Sequence, residues 1–89
     1  MNYRVRYTRR AVDQLADIWM SASDRNAVTA ASQRIDQLLA TDPFNSESRP
    51  NRRRIIMVSP LSAQFSVFEA INTVTVSWIQ SRHKRPRNP

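Results

Sequence analysis

Arginine is the residue in this chain with the most chemistry to offer. Thirteen of the fourteen basic residues among its 89 are arginine, and seven acids leave a formal net charge of +7. The guanidinium group is planar, suits phosphate oxygens and stays charged at neutral pH. The charge is uneven, with six acids against two arginines over residues 11–48 and eight basic residues against one acid over residues 49–89. This asymmetry predicts a surface for nucleic acid or the ribosome, although an ordinary arginine-rich soluble domain is the alternative.

These residues fit metal-independent RNA cleavage. In that reaction the 2′-hydroxyl of RNA attacks the adjacent phosphate, while the protein holds the backbone, stabilises the extra phosphorane charge and moves two protons. Arginines can supply the first two roles. His83, the single histidine, can carry a proton because the reference pKa of histidine is near 6.5. Two acids, Glu47 and Glu69, lie outside the predicted helices. The alternative for His83 is a solvated side chain in a basic tail.

Composition excludes several other kinds of site. The chain has no cysteine and no glycine, which rules out a disulfide, a cysteine-ligated metal and a glycine-rich phosphate loop. One histidine cannot build a histidine metal cage, and no local pattern supports a Ser–His–Asp triad. We therefore expect no metal and no cofactor. No apolar run approaches 18 residues, which predicts a cytoplasmic protein without a membrane span or signal peptide.

The elements that would position these groups begin with a strand and two helices. Residues 3–7 alternate aromatic or aliphatic side chains with arginine, which is typical of a half-buried strand. Thr8 can cap the helix that follows, whose apolar stripe continues to Trp19. Residues 21–24, Ser-Ala-Ser-Asp, break this helix and supply caps for a second amphipathic helix from about residue 24 to Thr41. That helix should end there because Pro43 disfavours helical geometry at Asp42. The two helices should form a hairpin.

Three further strands are predicted after a loop at residues 44–53. Residues 54–59 are apolar on both sides, as in a central strand, and residues 63–69 and 73–80 alternate apolar and polar side chains. Asn72 is the best candidate for a left-handed residue in the turn between the last two strands. The order predicts an α+β domain, β-α-α-β-β-β, with the helical hairpin on one face of a small, mostly antiparallel sheet. We expect a single domain over residues 1–84 and a basic tail over residues 85–89.

The sheet face away from the helices is expected to be open, polar and rimmed with arginine. Regular alternation would place Trp78 with Val74 and Val76 on the covered face, and we expect both Trp19 and Trp78 in the core. His83 has the opposite parity, so a regular strand would direct it toward the open face.

The basic residues divide by their position in the chain. In the run at residues 52–54, Arg53 should point away from Arg52 and Arg54, so that at most two of them share one phosphate site. The tail adds more positive charge, and its residues are expected to grip the RNA backbone without catalysing. The predicted RNA-binding residues are Arg52, Arg53, Lys84 and Arg85.

Several short motifs occur in an order that resembles the RelE/ParE toxin superfamily. They are Tyr-Arg-Val-Arg-Tyr-Thr at 3–8, Asp-Ile-Trp at 17–19, Asp-Pro at 42–43, Arg-Arg-Ile at 53–55, Pro-Leu at 60–61, Phe-Ser-Val at 65–67 and Val-Thr-Val at 74–76. The resemblance covers about residues 3–84, and the ordered set is more specific than any single motif. It implies the toxin of a bacterial type II toxin–antitoxin pair, whose partner is a cognate antitoxin with an acidic or amphipathic segment.

The resemblance implies which residues are catalytic and leaves two possible activities. RelE-like members cut messenger RNA in the ribosomal A site, whereas ParE-like members poison DNA gyrase. Arg54 resembles the family's basic residue on the second strand, Arg82 its arginine closing the last strand, and His83 the C-terminal histidine of several RNase branches. These three are the predicted catalytic residues. The central lysines of RelE are absent and no tyrosine follows Arg82. A ribosome-dependent endoribonuclease, a gyrase inhibitor and an inactive member that binds only antitoxin or operator therefore stay open.

Overall fold

Two helices pack on one face of a sheet in the described part of the chain. The computed structural model describes residues 2–81. The elements in chain order are β1 (Arg4–Tyr7), α1 (Arg9–Ser21), α2 (Arg25–Thr41), β2 (Glu47–Arg49), β3 (Arg53–Val58), β4 (Leu61–Phe68) and β5 (Thr73–Ser81). The strands are ordered β1-β5-β4-β3-β2, with β1 parallel to β5 and the other neighbours antiparallel. The predicted α+β class, with a helical hairpin on a mostly antiparallel sheet, is confirmed.

Both helices begin at the caps that the sequence predicts. The Thr8 hydroxyl accepts a hydrogen bond from the backbone N–H of Ala11 at 3.2 Å, and Asp24 accepts one from the N–H of Ala27 at 3.1 Å. Each satisfies a backbone donor that the first helical turn leaves unpaired. The second helix ends at Thr41, directly before Asp42 and Pro43. Among residues 2–81, no helix is long and apolar enough to cross a membrane.

The core lies between the helical hairpin and the covered face of the sheet. Phe65, at the centre of β4, is fully buried and is flanked on the neighbouring strand by Val74 and Val76. Removing a buried side chain of this size costs about 3–5 kcal/mol. The buried hydrophobic residues are Ala11, Val28, Ala31, Ile35, Leu39, Ile56, Leu61, Ala63, Phe65, Val74, Val76 and Ile79.

One polar contact ties β1 to α2 beneath the sheet. The Tyr7 hydroxyl donates a hydrogen bond to the Asp36 carboxylate. Burial of the phenol, followed by its hydrogen bond to Asp36 and the negative charge there, raises the pKa of Tyr7 above its usual value. The neutral phenol is therefore favoured in the folded protein.

This contact should make stability fall at alkaline pH. The unfolded chain loses the Tyr7 proton near pH 10, below the raised folded-state pKa, so rising pH above 10 favours unfolding. We expect Tyr7→Phe to lower the free energy of unfolding by about 1–2 kcal/mol at pH 7, with the difference from the parent shrinking above pH 10. Urea unfolding at pH 7, 10 and 11 measures this, with Tyr3→Phe as the control. A difference that grows with pH would contradict it.

The loop predicted at residues 44–53 is wrong in part, because it contains the edge strand β2. Its residues pair antiparallel with β3 in the register Glu47 to Ile55, Ser48 to Arg54 and Arg49 to Arg53. All of β2 is exposed, so the strand has no buried face and its sequence carries no apolar alternation. A turn with two consecutive positive φ angles, 63° at Asn51 and 62° at Arg52, returns the chain to β3. The predicted left-handed Asn72 is confirmed, with φ of 48°.

A β-bulge in β5 changes the face that its last residues occupy. Phe65 pairs with Val76, but the preceding Gln64 pairs with Trp78, so Ser77 is the extra residue. The prediction that both tryptophans lie in the core is wrong, since Trp78 is 39% exposed and Trp19 is 42% exposed. Ile79, by contrast, moves to the covered face and is buried. One inserted residue inverts the side-chain alternation beyond it, which a pattern of period two cannot reveal.

Candidate nucleic-acid interface

The sheet face opposite the helices is uncovered within residues 2–81 and is named here the open face. Cross-strand partners project to the same side of a sheet, so the register assigns its members. They are Arg4, Arg6, Glu47, Arg49, Arg53, Ile55, Met57, Ser62, Gln64, Ser66, Phe68, Thr73, Thr75, Trp78 and Gln80. The expected open, polar and arginine-rimmed face is present, although Ile55, Met57 and Phe68 give it an apolar part.

One register row crosses the open face with arginine at both ends, and we call it the arginine row. Arg6 pairs with Thr75, Thr75 with Ser66, Ser66 with Arg53, and Arg53 with Arg49. Strands lie about 4.8 Å apart, so Arg6 and Arg53 are about 14 Å apart across the row. Guanidinium groups at the edges and hydroxyls between them can hydrogen-bond successive groups of a sugar–phosphate backbone.

At one end of this row the arginines surround a cavity of about 290 Å³, the arginine pocket. Four arginines and one acidic residue are among the residues that line it. The lining residues are Phe44, Ser48, Arg49, Arg52, Arg53, Arg54, Val67 and Glu69. Arg49 is partly neutralised by an ion pair of 3.0 Å with Glu47, whereas Arg52 and Arg53 have no ion pair within residues 2–81. An excess of unpaired positive charge in a small concave site favours a phosphate group.

Arg54 is held on the covered side of the sheet by the loop that follows α2. Its Nε donates to the Ser46 hydroxyl at 2.8 Å, and its Nη2 donates to the carbonyls of Phe44 and Ser46, both at 3.1 Å. Its guanidinium carbon also lies 5.2 Å from the centre of the Phe44 ring. These contacts fix the side chain in one position and leave Nη1 without a hydrogen-bond partner among residues 2–81. Arg54 therefore has a structural role that its sequence position did not indicate.

The run at residues 52–54 converges although its members occupy different faces. Arg53 shares the open face with Ser66, while Arg54 pairs with the buried Phe65, which confirms that the two point in opposite directions. Arg52 belongs to the turn before β3, where strand alternation does not apply. The arginine pocket lies at the end of the strand, so all three reach it. The expectation that at most two of them share one phosphate site stays a prediction, because lining one cavity is not the same as contacting one phosphate.

Glu69 supplies the carboxylate of the arginine pocket. It begins the 3₁₀ turn Glu69–Ile71 between β4 and β5 and lines the same pocket as the arginines of β2 and β3. A carboxylate beside a bound phosphate could accept the proton of a 2′-hydroxyl. In the sequence, the only indication that Glu69 could take part in the site was its position outside the predicted helices.

Solved structures share this fold over nearly the whole chain. The RelBE2 toxin–antitoxin complex from Mycobacterium tuberculosis contains a chain that matches with a TM-score of 0.76 and 15% identity, covering 92% of this chain and 100% of that one. This chain has the RelE/ParE fold. The ParDE system from P. aeruginosa matches with a TM-score of 0.63 and 20% identity over 91% of this chain and 97% of that one. The isolated E. coli RelE toxin matches with a TM-score of 0.66 and 13% identity, covering 93% of this chain and 87% of that one. No protein-family model and no curated protein sequence matches the chain.

The predicted site residues divide into two groups on this RelE/ParE fold. Arg52, Arg53 and Arg54 lie together at the arginine pocket. Arg82, His83, Lys84 and Arg85 lie outside the described residues, and their roles stay predictions. Sequence reasoning did not single out Arg49, which it placed in a loop, or Trp78, which it placed in the core. A fold of this kind can carry different chemistries, so function has to be argued from the site.

Proposed function

We propose that this protein is the toxin of a type II toxin–antitoxin pair and that it cleaves messenger RNA on the ribosome without a metal. The arginine row and the arginine pocket carry this proposal. Together they place arginine side chains at both ends of a row whose middle residues, Thr75 and Ser66, carry hydroxyls, which suits a single RNA strand. The matched structures include toxin–antitoxin complexes, which supports the toxin assignment and a cognate antitoxin as partner.

The proposed reaction uses the RNA's own 2′-hydroxyl as nucleophile. A base removes its proton, the oxygen attacks the adjacent phosphorus, and the bond to the 5′-oxygen breaks as that oxygen gains a proton. Arg54 and Arg82 hold the phosphate and stabilise the additional negative charge of the phosphorane. His83 donates the proton to the leaving oxygen, and Glu69 is the candidate base because it lines the arginine pocket.

Primer extension on ribosome-bound message tests this activity directly. We expect new 5′ ends within the message when the protein and ribosomes are both present, and none with ribosomes alone. The upstream product should end in a 2′,3′-cyclic phosphate, because the RNA's own 2′-hydroxyl is the attacking group. Intact message in every reaction would contradict the proposal.

A gyrase inhibitor of the ParE type is the second candidate function. The ParDE structure from P. aeruginosa matches with the same fold and 20% identity, and the chain lacks the central lysines of RelE. Supercoiling by purified gyrase separates the two candidates. An RNase leaves supercoiling unchanged at concentrations where it cleaves message, whereas a gyrase poison produces cleaved DNA and leaves the message intact.

The open face should be covered by an acidic antitoxin segment while the toxin is held inactive. A net charge of +7, with arginines at both edges of an uncovered sheet, favours a partner of opposite charge. We expect tight binding at low salt and clear weakening near 1 M salt, where the screening length falls to about 3 Å. Isothermal titration at both salt concentrations measures this. The Arg4→Gln/Arg6→Gln variant should lose part of the salt dependence, and an affinity that salt leaves unchanged would contradict an electrostatic contact.

A further inference from the structure

Trp78 is a large aromatic side chain exposed on the open face, on the part of β5 that extends beyond its pairing with β1. It is 39% exposed and pairs across β4 with Gln64, two residues from Ser66 of the arginine row. Two residues along a strand span about 7 Å. The backbone of Trp78 therefore lies about 7 Å, measured along the strands, from the arginine row.

The outward position of Trp78 is fixed by the bulge, because three side-chain contacts hold it. The Ser77 hydroxyl donates to the Gln64 carbonyl at 3.4 Å, and the Thr8 hydroxyl donates to the Ser77 carbonyl at 3.5 Å. The N–H of Ile79 donates to the Gln14 side chain at 2.7 Å. β-Bulges are common next to functional sites, where they turn a side chain toward the other face of the sheet. The effect of this bulge is to place an indole in solvent that a regular strand would have buried.

The indole is also presented in one orientation beside a free cation. Its Nε1 donates to the Gln80 side chain at 3.2 Å, and the guanidinium carbon of Arg10 lies 5.6 Å from the ring centre. The side chain of Arg10 has no carboxylate partner and no hydrogen bond within residues 2–81. Its charge is therefore available to a ligand that also contacts the ring.

Trp19 provides an internal comparison, because it is equally exposed but differently surrounded. Arg25 lies 4.8 Å from its ring centre, but this arginine already donates to the carbonyls of Trp19 and Met20 at the end of α1. Trp19 lies on the helical hairpin, in the acidic half of the chain. The pair of Arg25 and Trp19 therefore belongs to a helix-end contact, whereas the pair of Arg10 and Trp78 is an exposed aromatic–cation surface.

We propose that Trp78 is the stacking surface for one base of the bound single-stranded RNA, with Arg10 contacting a neighbouring phosphate. Aromatic rings and arginine side by side on a sheet bind unpaired bases through stacking and cation–π contact. The proposal rests on the RNA substrate of the proposed function and not on cleavage. It adds a recognition residue that lies away from the reacting phosphate, so Trp78 is a positioning residue.

Tryptophan fluorescence tests this, because the chain has two tryptophans. The variant Trp19→Phe leaves Trp78 as the sole reporter, and Trp78→Phe leaves Trp19. Titration with a short single-stranded RNA, made non-cleavable by 2′-deoxy substitution, should quench the Trp78 reporter and leave the Trp19 reporter unchanged. No quenching up to millimolar RNA, or quenching of both reporters alike, overturns the proposal. The proposal is also overturned if the fluorescence of Trp78 changes only on addition of the antitoxin, because the ring would then contact a protein.

Affinity measurements supply the second arm. Trp78→Ala should weaken binding of the same RNA by about 5- to 150-fold, the range for loss of one stacked base, and Trp78→Phe should restore most of it. Trp19→Ala should bind like the parent. With an RNA in which the stacked nucleotide is abasic, parent and Trp78→Ala should bind equally, which a purely structural role would not produce. Binding by Trp78→Ala within twofold of the parent overturns the inference. RNA stacking on Trp78 without message cleavage would instead reject the nuclease function alone.

Discussion

His83→Ala should slow cleavage of ribosome-bound message by about 10²–10⁴-fold, the usual contribution of one general acid or base. Histidine is the only side chain in this sequence whose reference pKa allows it to give and take a proton near neutral pH. Arginine keeps its proton and can only donate hydrogen bonds. Ribosome affinity should change little, because it depends on the arginines.

Single-turnover cleavage at saturating ribosome measures the chemical step for this variant. Lys84→Ala is the matched control, since it removes a neighbouring charge but no proton carrier and should cleave at the parent rate under saturation. The pH–rate profile of the parent should show a limb that His83→Ala lacks. A variant rate within threefold of the parent would mean that His83 is a solvated tail residue and that another group carries the proton.

The covered side of this fold follows from local patterns in the sequence. Thr8 and Asp24 cap the helices through contacts three residues away, and the apolar stripes have the helical period. Each of these signals lies within one element. A chain with one small core has few other ways to bury the apolar stripes of its helices. The predicted helices, their caps and the alternation of β4 are confirmed for that reason.

The open face could be predicted only in outline, because its details depend on contacts between distant residues. β2 buries no side chain, so nothing in its sequence marks it as a strand. The bulge at Ser77 is stabilised by Thr8, Gln14 and Gln64, which lie on other elements. Its consequence, the exposure of Trp78, reverses the expectation from an apparently regular alternation. The three bonds of Arg54 likewise end on the loop after α2.

Replacing Arg54 should affect both stability and cleavage, which separates it from its neighbour Arg53. Arg54→Ala removes three hydrogen bonds to Phe44 and Ser46. The two backbone carbonyls lose this donor, whereas the Ser46 hydroxyl still donates to the Pro43 carbonyl at 2.7 Å. We expect the free energy of unfolding to fall by about 1–3 kcal/mol. Cleavage by the folded fraction should fall by a further ~10²–10³-fold, the effect of losing one donor that stabilises the transition state.

Arg53→Ala is the matched control, because it removes the same side chain from the exposed face one residue away. Its stability should stay within about 0.5 kcal/mol of the parent. Its affinity for RNA should weaken, with the slope of log affinity against log salt reduced by about 0.7 for one lost phosphate contact. Urea unfolding, RNA titration at several salt concentrations and single-turnover cleavage measure the three quantities. If Arg54→Ala loses stability but cleaves at the parent rate below its unfolding transition, Arg54 only anchors the loop. The phosphate would then be held by Arg52 and Arg53, because these are the cations of the arginine pocket without an ion pair among residues 2–81.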